Sequence, residues 1–151
     1  LYGSWAGAFG FFQFMPSTMK NYAVDYDGDG KKDIWTQHGD IFASIANYLK
    51  SHGWQGGQPW AVPVTLPAGF NEKLLGREIV KSVRAWRSLG VVAAPSYALP
   101  RNNIDASIVK PYGGPDFMVF NNFNVIMKWN RSIYYAGTVG YMAEKVCNKR
   151  L

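Results

Sequence analysis

The sequence predicts a mainly α-helical chain carrying a small β subdomain, an α+β arrangement. Three observations predict it. Apolar residues recur at helical spacing in two separate stretches, one before residue 53 and one after residue 121. Between them Val62, Val64 and Leu66 alternate with other residues, and Phe117 to Phe120 form a short apolar run, both patterns of strands. Gly and Pro punctuate that middle stretch heavily, which keeps its elements short.

Residues 1–15, LYGSWAGAFGFFQFM, are Gly-rich and apolar, and read as close-packed backbone leading into a helix. Pro16 suits the first helical position, with Ser17 and Thr18 in the first turn, and that helix is expected to end near Ala23. An acidic, Gly-punctuated loop follows from Asp25 to Gly39. Asp40 is then a plausible N-cap. Behind it Ile41, Ile45, Tyr48 and Leu49 share one helix face, and His52-Gly53 is a stop signal. Pro63 places the Val62–Leu66 strand at a sheet edge. Ile79, Val83 and Trp86 mark a further helix face closed by Gly90. Residues 91–116 read as loops with short strands. Helices are expected again from Asn122 to about Trp129 and, capped by Ser132, to about Val146. The resulting divisions are 1–53, a helical part with the acidic loop at 25–40; 54–120, a small α/β insertion; and 121–151, C-terminal helices returning to the core.

With 151 residues, 48% hydrophobic and 17% charged, the chain can bury a core and is not disordered by composition. Aromatics make up 16%, including six Trp and nine Tyr. Such rings either fill a core or line sites for amphipathic ligands such as carbohydrates. The net charge of +6 suits an anionic polymer: nucleic acid, anionic lipid, or a cell wall rich in stem-peptide carboxylates. The basic residues are scattered, and no nucleic-acid motif accompanies them, so nucleic acid is not an expected partner. A single cysteine, Cys147, excludes a disulfide within the chain and reads as a partly buried structural thiol. No run of apolar residues is long enough for a transmembrane helix.

The sharpest local motif is Asp25-Tyr26-Asp27-Gly28-Asp29-Gly30-Lys31-Lys32-Asp33. It matches the first half of an EF-hand loop: carboxylates at alternate positions converge on one cation, Gly30 permits the sharp turn, and Lys31 offers its backbone carbonyl. The loop is longer than the standard one. Thr36 stands where a closing Glu belongs, and the next carboxylate is Asp40. The expected ligands of a structural Ca²⁺ ion are therefore Asp25, Asp27, Asp29, Lys31 and Asp40. The plainer alternative is a solvated acidic turn offset by Lys31 and Lys32. Without a second such loop and a Met-rich groove, a Ca²⁺ sensor is not indicated.

Ser4-Trp5-Ala6-Gly7-Ala8-Phe9-Gly10, Gln13-Phe14-Met15-Pro16-Ser17, Ala23-Val24-Asp25 through Trp35, Ala46-Asn47-Tyr48, Phe120 to Ile126 and Trp129-Asn130-x-Ser132-x-Tyr134-Tyr135-Ala136 together resemble the lytic murein transglycosylases of the B family, in the C-terminal part of their catalytic domain. The resemblance runs through nearly the whole chain. It implies a lysozyme-like, mostly helical fold with one EF-hand-like Ca²⁺ loop, and periplasmic location with membrane contact only through a lipid anchor outside this chain. It also implies a reaction on peptidoglycan glycan strands. A single Glu protonates the oxygen between N-acetylmuramic acid and N-acetylglucosamine, then acts as base while the muramyl 6-hydroxyl attacks C1, giving a 1,6-anhydro product. Ser4 resembles a residue contacting that Glu or the sugar. Gln13 and Asn130 resemble sugar-binding amides, and Tyr48 a cleft-wall ring. Trp129 replaces the family's usual Tyr, keeping a ring for stacking without the phenol. Packing is the alternative role for each.

The family's catalytic Glu lies well upstream of the Ser4 segment, which places it upstream of Leu1. The glutamates here, Glu72, Glu78 and Glu144, sit among basic residues and read as surface residues. The expectation is a chain without its catalytic acid, partnered by a missing N-terminal half of the same protein. The alternative is a noncatalytic, calcium-stabilised peptidoglycan-binding module.

Overall fold

The computed structural model describes residues 3–147. Leu1, the point upstream of which the catalytic Glu is expected, lies outside the described residues. The described residues form two compact units, meeting in sequence at Trp54 and Gln55.

The first unit opens with a tight, bridged hairpin in which Phe9 pairs with both Gly3 and Phe14. Helix α1 (Pro16–Tyr22) follows, with Pro at its start, as the residue's fixed φ favours. The acidic loop then leads into helix α2 (His38–Ser51). α2 buries Ile41, Ser44 and Tyr48, an i, i+3, i+7 stripe, with Ile45 and Leu49 half-buried beside it. Its N-cap is Gln37, whose side chain accepts from the Gly39 N–H, and not Asp40. Asp40 lies in the first turn, buried, because it is drawn inward to bind the loop.

The second unit is a five-stranded antiparallel sheet with helices on both faces. Its strands are β1 (Ala61–Thr65), β2 (Gly76–Ser82), β3 (Val92–Ala93), β4 (Asp105–Val109) and β5 (Asp116–Val119), in the order β2-β4-β5-β1-β3. The helices are α3 (Val83–Ser88), α4 (Asn121–Trp129) and α5 (Ile133–Val146). Alternate side chains go to opposite faces. Val62, Val64, Ala106, Ile108 and Met118 join Val83 and Trp86 of α3 in one cluster. Ala61, Val109 and Val119 join Phe123, Ile126 and Ala136 of α4 and α5 in another.

Two expectations fail here. β1 is not an edge strand: β5 pairs with it on one side and β3 on the other. Pro63 is tolerated because the Ala94 N–H needs only its carbonyl, and β3 is too short to demand the missing donor. Ile79 belongs to β2 and not to a helix. Only Val83 and Trp86 carry the helical spacing, and the chain changes from strand to helix at the Ser82 N-cap. Cys147 is exposed, since α5 buries only Ala136 and Gly140 and its last turn lies outside the packed face. Among the described residues, no helix is long and apolar enough to cross a membrane.

Candidate functional site

The acidic loop is held by its own carboxylates. Asp25 accepts the N–H groups of Gly28 and Gly30, one on each oxygen. Asp27 accepts from the Asp29 N–H and the Gln37 amide, and Asp29 from the Lys31 N–H. Gly30 turns at φ +86°, a conformation that a side chain disfavours. Asp25, Asp27 and Asp29 each present an oxygen within 4.8 Å of the others. An opening of about 280 Å³ beside them is lined by Asp27, Asp29, Lys31, Asp33 and Asp40, with Thr36 and Gln37. The three converging carboxylates, Asp25, Asp27 and Asp29, are hard anionic oxygen donors and fit a hard divalent cation.

Asp40 is 1% exposed, and its two oxygens accept the N–H groups of Tyr26 (2.7 Å) and Asp33 (2.8 Å). It ties the entry of the loop to its exit. Asp33 performs a similar task at the helix approach, accepting from the Trp35 and Thr36 N–H groups and the Thr36 hydroxyl. The Thr36 hydroxyl, helped by those backbone donors, holds the Asp33 carboxyl below its ordinary range.

Ser4 and Gln13 lie in the hairpin. Ser4 Oγ accepts the Ala8 N–H at 3.0 Å and closes a five-residue turn. Gln13 is exposed and sits at φ 55°, a left-handed conformation unusual for a residue with a Cβ. Its amide donates to the Gly10 carbonyl. Its neighbour Phe14 is buried, whereas Gln13 is turned out. Tyr48 is 7% exposed, stacked on His52 at 4.0 Å and edge-on to Tyr22 at 5.1 Å. Burial, reinforced by Tyr22, pushes its phenol pKa up. Phe11, Phe12 and Phe42 form an edge-to-face series in the same unit.

Trp129 and Asn130 belong to the second unit, at the end of α4. Trp129 is half-buried and Asn130 exposed. Asn130 Oδ1 accepts the Ser132 N–H at 3.0 Å, a bond that leaves the amide nitrogen as the side chain's donor end. The structure thus brings Ser4, Gln13 and Tyr48 into one unit and the Trp129–Asn130 pair into the other.

Two residues escaped the sequence reading. Asn122, fully buried, donates to the Gln55 and Gln58 carbonyls and accepts the Gln55 N–H. It pins the loop preceding β1, and no sequence signal marks it. Glu144 is not a surface residue: it is half-buried, with Oε2 enclosed and lacking a hydrogen-bond partner. Its helical spacing of four from buried Gly140 was the available signal. Glu72 and Glu78 are exposed, as expected.

A helical unit with a carboxylate loop, joined in sequence to a small helix-covered antiparallel sheet, is the architecture of a class of cell-wall lytic enzymes. The chain belongs to the Transglycosylase SLT domain family, which matches residues 1–144. It is 35% identical over its whole length to membrane-bound lytic murein transglycosylase B of Escherichia coli strain K12, and covers 41% of that protein. It superimposes with a TM-score of 0.91 on SltB3 from Pseudomonas aeruginosa in complex with NAG-anhNAM-pentapeptide, at 47% identity, over 96% of this chain and 40% of that one. The Escherichia coli lytic transglycosylase Slt35 in complex with calcium matches with a TM-score of 0.79 and 34% identity, over 97% of this chain and 46% of that one. The chain therefore spans about two fifths of the length of these relatives.

Proposed function

We propose that this chain is the sugar-binding part of a peptidoglycan lytic transglycosylase, acting on peptide-bearing glycan strands and working with a catalytic Glu upstream of Leu1. The observation that carries the reading is the end-to-end match to the Escherichia coli enzyme. Among the proposed sugar contacts, Ser4, Gln13 and Tyr48 lie in the first unit and Trp129 and Asn130 in the second. Trp129 supplies a ring face and Asn130 an amide donor to the sugar. The Glu donates a proton to the leaving oxygen and recovers one from the muramyl 6-hydroxyl as the 1,6-anhydro ring closes. The SltB3 relative is in complex with NAG-anhNAM-pentapeptide, an anhydro sugar, and this supports that reading. The location is periplasmic, with any membrane attachment through a lipid anchor elsewhere in the parent.

Asp25, Asp27, Asp29, the Lys31 carbonyl and Asp40 would hold a Ca²⁺ ion, as the calcium complex of Slt35 supports. The ion supplies charge neutralisation for carboxylates otherwise crowded together, so its role is structural.

The test is incubation of purified peptidoglycan with this chain, followed by chromatography of soluble products and sedimentation of bound protein. The expected result is binding to the pellet without release of anhydro-muropeptides. Release would place the acid within the chain, with half-buried Glu144 the first to change to Gln. The second reading, a calcium-stabilised binding module without catalysis, draws on the exposure of Glu72 and Glu78. A Glu upstream of Leu1 in the parent sequence, needed for cleavage, decides between the two.

A further inference from the structure

The second unit has a groove that the sugar contacts do not use. It measures about 610 Å³, with Leu75, Val109 and Ile133 as apolar lining and Glu72, Lys110 and Tyr112 among its polar residues. Lys110 Nζ and Glu72 Oε1 form an ion pair at 3.4 Å, and both side chains are more than half exposed. An exposed pair of this kind is worth at most about 1 kcal/mol. Its partners exchange readily for charges on a ligand. The same two residues also border a second opening, of about 680 Å³, beside Asp116. The turn bearing Tyr112 is not loose: its N–H donates to the Tyr134 hydroxyl at 3.1 Å, and that hydroxyl donates back to the Tyr112 carbonyl.

The groove also lies close along the chain to the proposed sugar contact. Ile133, at the groove, begins α5, three residues after Asn130. Those residues span at most about 11 Å. A five-residue peptide extends to roughly 17 Å. A sugar held at Asn130 therefore delivers a peptide branch to the groove.

We infer that this groove binds the stem peptide of the glycan, with Lys110 taking a peptide carboxylate, Glu72 a peptide ammonium, and the half-buried Leu75 and Ile133 covering its small apolar side chains. The inference rests on the glycan reading above and extends it from sugar to peptide. Charge favours this occupant: the lining presents one charge of each sign, Lys110 and Glu72, to a peptide that carries both a carboxylate and an ammonium.

Isothermal titration of the 151-residue chain with GlcNAc-MurNAc and with GlcNAc-MurNAc-pentapeptide tests it. The peptide-bearing ligand is expected to bind about tenfold tighter. Lys110→Glu, and independently Lys110→Gln, are expected to abolish that gap, with thermal melts confirming that both variants fold. Equal affinity for the two ligands, or a gap that survives both substitutions, overturns the peptide groove and leaves the sugar reading intact. Failure of both ligands to bind overturns the glycan reading, and the groove assignment falls with it.

Discussion

Asp40 shows how much one side chain holds. Each of its oxygens accepts a backbone N–H from a different end of the acidic loop. In Asp40→Asn one acceptor becomes a donor, so one N–H loses its partner, at a cost of about 1–3 kcal/mol. Thermal unfolding in EDTA isolates that loss from any lost ion binding; an unchanged midpoint would mean the loop is held by other contacts. In calcium, the native chain is expected to melt higher than in EDTA, by about 2.7 kcal/mol of stabilisation when the ion stands at roughly a hundred times its dissociation constant. Asp25→Asn should shrink that shift. Tyr48 and Tyr135 set the alkaline limit. Burial raises both phenols above the ordinary value of 10.0, with Tyr22 adding to the rise at Tyr48. Below that value both folded and unfolded chains keep the proton, and the full contribution to stability is present. Above it the unfolded chain ionises first, so stability falls as pH rises through the folded values. Denaturant midpoints should show no tyrosine-linked loss well below pH 10 and decline as pH rises past about 10, less steeply in Tyr48→Phe.

At the scale of elements, α5 depends on a close approach. A Cβ at Gly140 would overlap the Trp60 indole, itself buried and stacked against Phe123. Alanine favours a helix by roughly 0.5–1 kcal/mol over glycine, but overpacking costs about 1–3 kcal/mol. Clash wins, because the Trp60 ring is hemmed in by its neighbours. Gly140→Ala is therefore expected to lower the unfolding free energy by about 1–2 kcal/mol, whereas Gly137→Ala, which meets nothing within 4 Å, should be neutral or stabilising. Urea unfolding of both distinguishes packing from propensity. Helices α1, α2 and α5 were legible from capping and stop residues at Pro16, Gly53 and Ser132, and α4 from its apolar spacing alone. α3 was legible only in its Val83–Trp86 half. Ile79 shares the spacing by chance, and the competition between strand and helix is settled by pairing of β2 with β4.

For the whole molecule, the division at residues 54–55 predicts that residues 55–151 fold alone. Their sheet has a separate buried cluster on each face, and the fully buried Trp86 donates to the Ala106 carbonyl at 2.9 Å. The expressed segment should unfold cooperatively with near-native β and α content by circular dichroism. A non-cooperative melt would show that it needs the first unit. The residues proposed for the site were legible as short polar and aromatic motifs, and their role in sugar binding is the proposal made above. How each of them is engaged was not legible. Gln13 is turned outward by a left-handed backbone, Tyr48 is buried among rings, and Asn130 spends its oxygen on Ser132.

The sequence by itself determined the presence of most helices, the strand content of the middle, the carboxylate loop and the family. Each of these depends on residues near one another in the chain, where spacing and backbone preference act directly. Tertiary structure alone decided the interior place of β1, the stapling role of Asp40, the burial of Asn122 and half-burial of Glu144, and the groove beside Lys110. Those depend on which distant segments meet, a matter of packed volume and hydrogen-bond satisfaction across the fold, and local pattern carries no record of them.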